Sequence, residues 1–278
     1  MKQRIITAVV AFVILVPVLI FAWTPVLPIA ISLCSILAIY EMLSCIGLKK
    51  SVVVSLPFYL CAAAFPILIR YLNNSVLLHD IVIAALSVCV LYLFAVLVFS
   101  HGKYTFEKIG GALLSVLYII LGFSGIIYIY RFEPGGQYVY LMVFLGAWVT
   151  DIFAYFCGIF FGRGGKHKLI PDVSPKKTVE GSIGGIIFCI AFMVGLGAAL
   201  EALTPYHANF LVFAVAGLAA SIVSQIGDLS MSVIKRTFGI KDYGKIFPGH
   251  GGILDRFDST LAVSIALMVF TRFFDLLN

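Results

Sequence analysis

Residues Ser221–Ser259 read SIVSQIGDLSMSVIKRTFGIKDYGKIFPGHGGILDRFDS. The stretch begins in one apolar run, leaves it through a basic segment and ends where another apolar run begins. Four carboxylates fall in it, Asp228, Asp242, Asp255 and Asp258, among Lys235, Arg236, Lys241, Lys245 and Arg256. Only 12% of the chain is charged, so this density needs a chemical reason. An apolar helix, a polar loop and a second apolar helix are the unit of a membrane bundle. The charges between them read as a metal-assisted phosphate site at the cytosolic face.

The rest of the chain agrees on the fold class. It has 278 residues, is 62% hydrophobic and has a mean hydropathy of +1.11. A soluble domain is usually about 45–50% apolar. Apolar runs of roughly 20 residues, each able to cross the hydrocarbon core as a helix, recur at 5–23, 26–46, 52–70, 76–99, 109–130, 138–161, 181–203, 208–234 and 259–277. The expectation is an all-α, polytopic integral membrane protein with nine transmembrane helices. The third span is the weakest, being interrupted by Pro57 and Pro66. Lys2 and Arg4 precede the first run as in a signal peptide, but no A-x-A site follows, so it reads as an uncleaved span. The six cysteines lie in or beside apolar runs without C-x-x-C spacing and read as packing residues. The formal charge of +6 says little about nucleic acid in such a chain, because the location of the cations matters more than their sum.

With the N-terminus in the cytosol, nine spans place 16 of the 19 Lys and Arg inside: Lys2, Arg4, Lys49, Lys50, Lys103, Lys108, Arg163, Lys166, Lys168, Lys176, Lys177, Lys235, Arg236, Lys241, Lys245 and Arg256. Arg70, Arg131 and Arg272 remain outside or near the outer end. The positive-inside rule asks for this asymmetry. Two polar loops, 162–180 and 235–258, then face the cytosol. The division expected is 1–137 for N-terminal helices and 138–278 for a catalytic region carrying both loops. Glu41 and Asp80, the exceptions in the first half, read as interfacial or partnered carboxylates.

Three places carry chemistry. Asp151, beside Thr150 and four residues before Tyr155, lies about ten residues from the end of its span, roughly 15 Å deep at the helical rise. A carboxylate there is costly unless it faces a cavity or a partner. Gln225, Asp228, Ser232 and Lys235 recur at i, i+3, i+7 and i+10 on one helix side, a polar stripe leading to Lys235 and Arg236. Asp228 alone would serve as a partner of Lys235; the stripe reads instead as a path for anions. Pro248-Gly249-His250-Gly251-Gly252 then precedes Asp255-Arg256-Phe257-Asp258-Ser259. Glycines allow backbone N–H groups close to a phosphate, and aspartates three apart share a helix face. With Asp228 they make an oxygen-rich set of the kind Mg²⁺ prefers. The other loop contributes Ser174-Pro175-Lys176-Lys177-Thr178, lysines leading into a helix start, both favourable to phosphate. No Walker pattern is present.

These residues resemble a known signature. Gly227-Asp228-Leu229-Ser230-x-Ser232-x-x-Lys235-Arg236 and Lys241-Asp242-x-Gly244-x-x-x-Pro248-Gly249-His250-Gly251-Gly252-x-x-Asp255-Arg256-x-Asp258-Ser259 resemble that of the phosphatidate cytidylyltransferase (CDP-diacylglycerol synthase) family. Thr150-Asp151-x-x-Ala154-Tyr155-x-x-Gly158 and Ser174-Pro175-Lys176-Lys177-Thr178-x-Glu180-Gly181 look like its companion motifs. The resemblance implies a homodimeric enzyme of the bacterial cytoplasmic membrane. It would condense CTP with phosphatidic acid to CDP-diacylglycerol and pyrophosphate, using Mg²⁺, with K⁺ a candidate second cation. It also implies that Asp228, Asp255 and Asp258 serve the metal centre.

Beside it, the residues suggest roles. Asp228 and Asp255 would hold Mg²⁺, with Asp258 a ligand or an orienting group; Lys176, Lys177, Lys235, Arg236 and Arg256 would clamp phosphates. Asp151 would hold a second cation or position a lysine. Tyr155, Ser174, Thr178, Ser232, Lys241, Gly249, His250, Gly251 and Gly252 complete the substrate candidates. Two rivals remain: a CTP-dependent kinase of a long-chain alcohol, and an ion or anion transporter. Against the transporter, the second half does not repeat the first.

Overall fold

Each apolar run becomes a helix because a bilayer offers no water to an unpaired backbone N–H or C=O. The computed structural model describes residues 2–162, 167–249 and 251–278, with the backbone alone for residues 2–8 and 132. Its helices are α1 (Lys2–Ile20), α2 (Val26–Ile46), α3 (Val52–Tyr71), α4 (Ser75–Phe99), α5 (Phe106–Phe132), the short α6 (Gly136–Val139), α7 (Leu141–Phe161), α8 (Val179–Leu203), α9 (Phe210–Thr237) and α10 (Leu254–Phe270). Between α7 and α8 lie two strands, β1 (Lys168–Ile170) and β2 (Ser174–Thr178). Polar residues mark the boundaries. Asn74 and Asn209 cap α4 and α9 by accepting from Leu77 N (3.0 Å) and Val212 N (3.3 Å). Gly47, at φ +82°, ends α2 in the left-handed conformation.

Among the described residues, seven helices are long and apolar enough to cross a membrane. Helix α1 has 19 residues, Lys2–Ile20, and the expected last span differs, α10 having 17 residues. The last helix covers Leu254–Phe270 where the hydropathy pattern predicts 259–277. Its first turn therefore takes in Asp255 and Asp258, whose charge hides a helix start from a hydropathy reading. The third span is whole: α3 runs through both Pro57 and Pro66.

Contacts divide the chain into two units, Met1–Ile127 with Asp242–Asp255, and Tyr128–Lys241 with Arg256–Asn278. In the first, α2 packs on α1 and α3, and α3 on α4. Leu27, Ile39, Met42, Leu43 and Phe58 form its buried centre. Ser32 Oγ donates to Ala63 O at 3.0 Å and Tyr92 OH to Val53 O at 2.8 Å, joining neighbouring helices. Leu91, Val98 and Phe99 of α4 are exposed at 70–75%, a surface suited to hydrocarbon.

In the second unit α7, α8 and α9 pack against one another. Small residues set the approach: a Cβ on Gly185 of α8 would sit 3.0 Å from Thr150 O of α7. One on Gly217 of α9 would sit 3.0 Å from Ile190 Cα of α8. Small residues at crossings let membrane helices meet at backbone distance. Strand β2 pairs antiparallel with β1, Lys168 opposite Thr178 and Ile170 opposite Ser174, with an irregularity between.

Candidate functional site

The polar segments build two clusters, one in each unit. In the second unit, the strand-to-helix junction comes first. Thr178 ends β2 and caps α8, its Oγ1 accepting from Gly181 N at 3.1 Å. Successive strand side chains point to opposite faces, so adjacent Lys176 and Lys177 part company. Lys176 is exposed. Lys177 turns inward and pairs its ammonium with the carboxylate of Asp228 on α9, each side chain 25% exposed. Ser174 is half-buried in the same strand. Glu180, in the first turn of α8, pairs with His167.

Asp228 is held from a second side. Ser232, one turn on along α9, donates through Oγ to Asp228 Oδ1 at 3.5 Å. The pairing weighed for Asp228, with Lys235, is replaced by Lys177 from the other polar loop. Lys235 itself is buried to 8% exposure, and its charge acts on Asp258 of α10. Asp258 Oδ1 accepts from Ser259 N at 2.9 Å, and Ser259 Oγ donates to Asp151 Oδ2 of α7 at 3.3 Å. Asp151 lies in the fields of Asp228, Lys177 and Arg256. Four elements, α7, β2, α9 and α10, thus bring Asp151, Lys177, Asp228, Lys235, Arg256 and Asp258 together. Gln225, higher on the α9 stripe, donates through Nε2 to Ser182 O of α8 at 3.4 Å and so joins helices. Tyr155 is exposed on α7, edge-on to Phe156. Arg236 is exposed and donates to Ile240 O at 3.4 Å, closing the end of α9.

The first unit holds the glycine loop. Asp255 is buried, and its Oδ2 accepts from Tyr243 N (2.8 Å) and Gly252 N (2.9 Å), folding 243–255 back on itself. Phe247 N donates to Gly251 O at 2.9 Å. Gly249 and Gly251 take φ of +78° and +87°, conformations that side-chain-bearing residues avoid. Lys241 and Gly249 are exposed. His250, Arg163 and Lys166 lie outside the described residues. Glu41, read from the sequence as interfacial or partnered, is buried at 2% exposure. Its two oxygens accept from Ile253 N (3.0 Å) and Leu254 N (2.9 Å), the start of α10. So the amide of Gly252, expected to face a phosphate, and those of Ile253 and Leu254 are engaged by carboxylates of the protein. A partner 212 residues distant leaves no local signal, apart from Gly244 and Gly252, where a side chain would strike the Glu41 carboxylate.

Asp151, Asp228 and Asp258 offer oxygen alone, the donor type of a hard divalent cation. Their mutual repulsion is relieved in part by Lys177, Lys235 and Arg256. Among the described residues no three His, Cys, Asp or Glu are arranged as a ready ligand set. The chemistry of the donors fits Mg²⁺; the ligand geometry is not preformed.

Comparison with known proteins identifies the family. Residues 2–274 match the model of the cytidylyltransferase family. A phosphatidate cytidylyltransferase of Staphylococcus haemolyticus is 35% identical over 264 residues, 95% of this chain and 96% of that protein. Proteins of the same name from Staphylococcus saprophyticus, 34% identical, and Staphylococcus aureus strain COL, 35% identical, cover the same shares. With nearly its whole length matched, the chain belongs to the cytidylyltransferase family and is a nucleotidyltransferase.

Proposed function

We propose that the chain transfers the cytidylyl group of CTP to phosphatidic acid, yielding CDP-diacylglycerol and pyrophosphate. The observation that carries this reading is the cluster of Asp151, Asp228 and Asp258 interleaved with Lys177, Lys235 and Arg256. A lipid phosphate oxygen forms a bond to the α-phosphorus of CTP. The bond from that phosphorus to the bridging oxygen breaks, and pyrophosphate leaves with the electron pair. The nucleophile is already an anion, so positioning and charge neutralisation carry the barrier lowering.

Mg²⁺, held by Asp228 and Asp258, would supply Lewis-acid neutralisation of phosphate charge when bound. Lys177 has two acceptors, the Asp228 carboxylate and an arriving phosphate oxygen. Moving to the second leaves an Asp228 oxygen for a cation. Lys235 and Arg256 offset the charge of Asp258 and Asp151 while the substrate is away, and that of the triphosphate once it arrives. Asp151 orients Ser259 and with it the first turns of α10.

The concentration of Lys and Arg in the segments joining the spans supports an orientation with loops 162–180 and 235–258 in the cytosol. There CTP is at hand, and the other substrate is anchored in the same leaflet. The test uses membranes given phosphatidic acid and CTP labelled separately at the α and γ phosphates. The α label should enter lipid and the γ label pyrophosphate. A γ label in lipid identifies a CTP-dependent kinase instead, and no label in lipid removes both.

A further inference from the structure

We infer that Glu41 is a positioning residue for the reaction, tethering the first turn of α10 through its backbone; this rests on the proposed function. Glu41 lies in the middle of the polar-poor first half, yet it is more deeply buried than any other carboxylate among the described residues, at 2% exposure. A carboxylate is removed from water at high cost unless several donors meet it. Here Ile253 N and Leu254 N meet separate oxygens at 3.0 and 2.9 Å. These are among the N–H groups that a helix start leaves without internal partners, and the positive end of the helix favours an anion there.

The surroundings are cut to the same shape. A Cβ on Gly244 would lie 2.8 Å from Glu41 Cδ, and one on Gly252 would also overlap the carboxylate. Two glycines at these places make room for one carboxylate. Asp255 completes the arrangement by taking the amides of Tyr243 and Gly252. Glu41 and Asp255 together receive four backbone N–H groups of the segment 243–254. The start and rotation of α10 are thereby set, and Arg256 and Asp258 follow within its next turn. Glu41 itself need touch no substrate.

The experiment compares wild type with Glu41→Gln, Glu41→Ala, Gly252→Ala and the Glu41→Ala/Gly252→Ala double variant, all as full-length protein in detergent. Glutamine keeps the size but offers one acceptor for two amides. Hydrogen exchange across 243–258 should accelerate at Ile253 and Leu254 in Glu41→Gln, by about tenfold or more. A small misplacement of reacting groups can cost about 100-fold in rate; kcat should fall by about 10- to 100-fold while KM for CTP stays within about threefold. Gly252→Ala should cost as much in wild type and add little to Glu41→Ala, where the collision is gone. Wild-type kcat and unchanged exchange in Glu41→Gln overturn the inference, as does full additivity in the double variant. If Glu41→Gln does not fold, the Gly252→Ala cycle decides. A wild-type enzyme making no CDP-lipid defeats the proposed function instead, and the exchange rates still decide whether the tether exists.

Discussion

Lys177 and Asp228 are each a quarter exposed, and their pairing is worth little as a source of stability. Their value is electrostatic and local, since Asp228 also lies in the fields of Asp151 and Asp258. Lys177→Met should therefore leave thermal unfolding within a few degrees while lowering kcat/KM by about 100- to 1,000-fold, the range for losing a donor at developing phosphate charge. Steady-state kinetics beside a melting curve check this; an equal fall in both would mark a merely structural pair. Asp258→Asn removes a charge from an oxygen-only donor set, so it should abolish turnover in folded protein. Chelation should do the same to wild type, with recovery on adding Mg²⁺ and none in the variant. Full turnover in excess chelator would remove the cation from the proposal. Which lysine serves the site is a fact of this scale that spacing does not reveal. Lys176 and Lys177 are equal in sequence, and only the strand that carries them sends one inward.

Strand β2 is too short for periodicity to announce, five residues including a proline. The sequence reading sees only a basic approach to a helix. Pro175 is tolerated because a two-stranded ribbon has outer edges that need no donor. The helix start itself was legible, as Ser174-Pro175-Lys176-Lys177-Thr178 leads into a glycine-rich helix start. Thr178→Ala should cost about 0.5–2 kcal/mol of stability, with Thr178→Ser close to wild type, measured by unfolding in detergent. Because the same residue ends β2, the Ala variant should also weaken CTP binding by loosening Lys177; unchanged KM would separate cap from site. The opposite case is α10. Its acidic first turn looks like loop to a hydropathy scale, so the predicted span begins at 259 where the helix begins at Leu254. The clamp at that point, Glu41, was legible only as an interfacial or partnered carboxylate. Its partners were not, because backbone amides carry no sequence label.

At the scale of the whole chain, hydropathy locates the interior spans to within a few residues, since a length near 20 is imposed by the bilayer and not by neighbouring helices. What hydropathy leaves open is direction, for which charge gives only an expectation: with nine spans, 16 of 19 Lys and Arg fall on one side if the N-terminus is placed in the cytosol. The six cysteines are free thiols, so a cysteine-free background followed by single replacements gives a direct test. Asn73, between α3 and α4, and Lys103, between α4 and α5, are both exposed and stand at opposite ends of α4. A membrane-impermeant maleimide should label Asn73→Cys in intact cells and Lys103→Cys only after the membrane is opened. A cysteine at Lys176 should behave as Lys103→Cys does, because two spans, Phe106–Arg131 and Gly136–Phe161, separate the two positions. Labelling of Lys176→Cys from outside intact cells would put the acidic cluster away from CTP and end the proposed reaction, whatever the identity to the curated relatives.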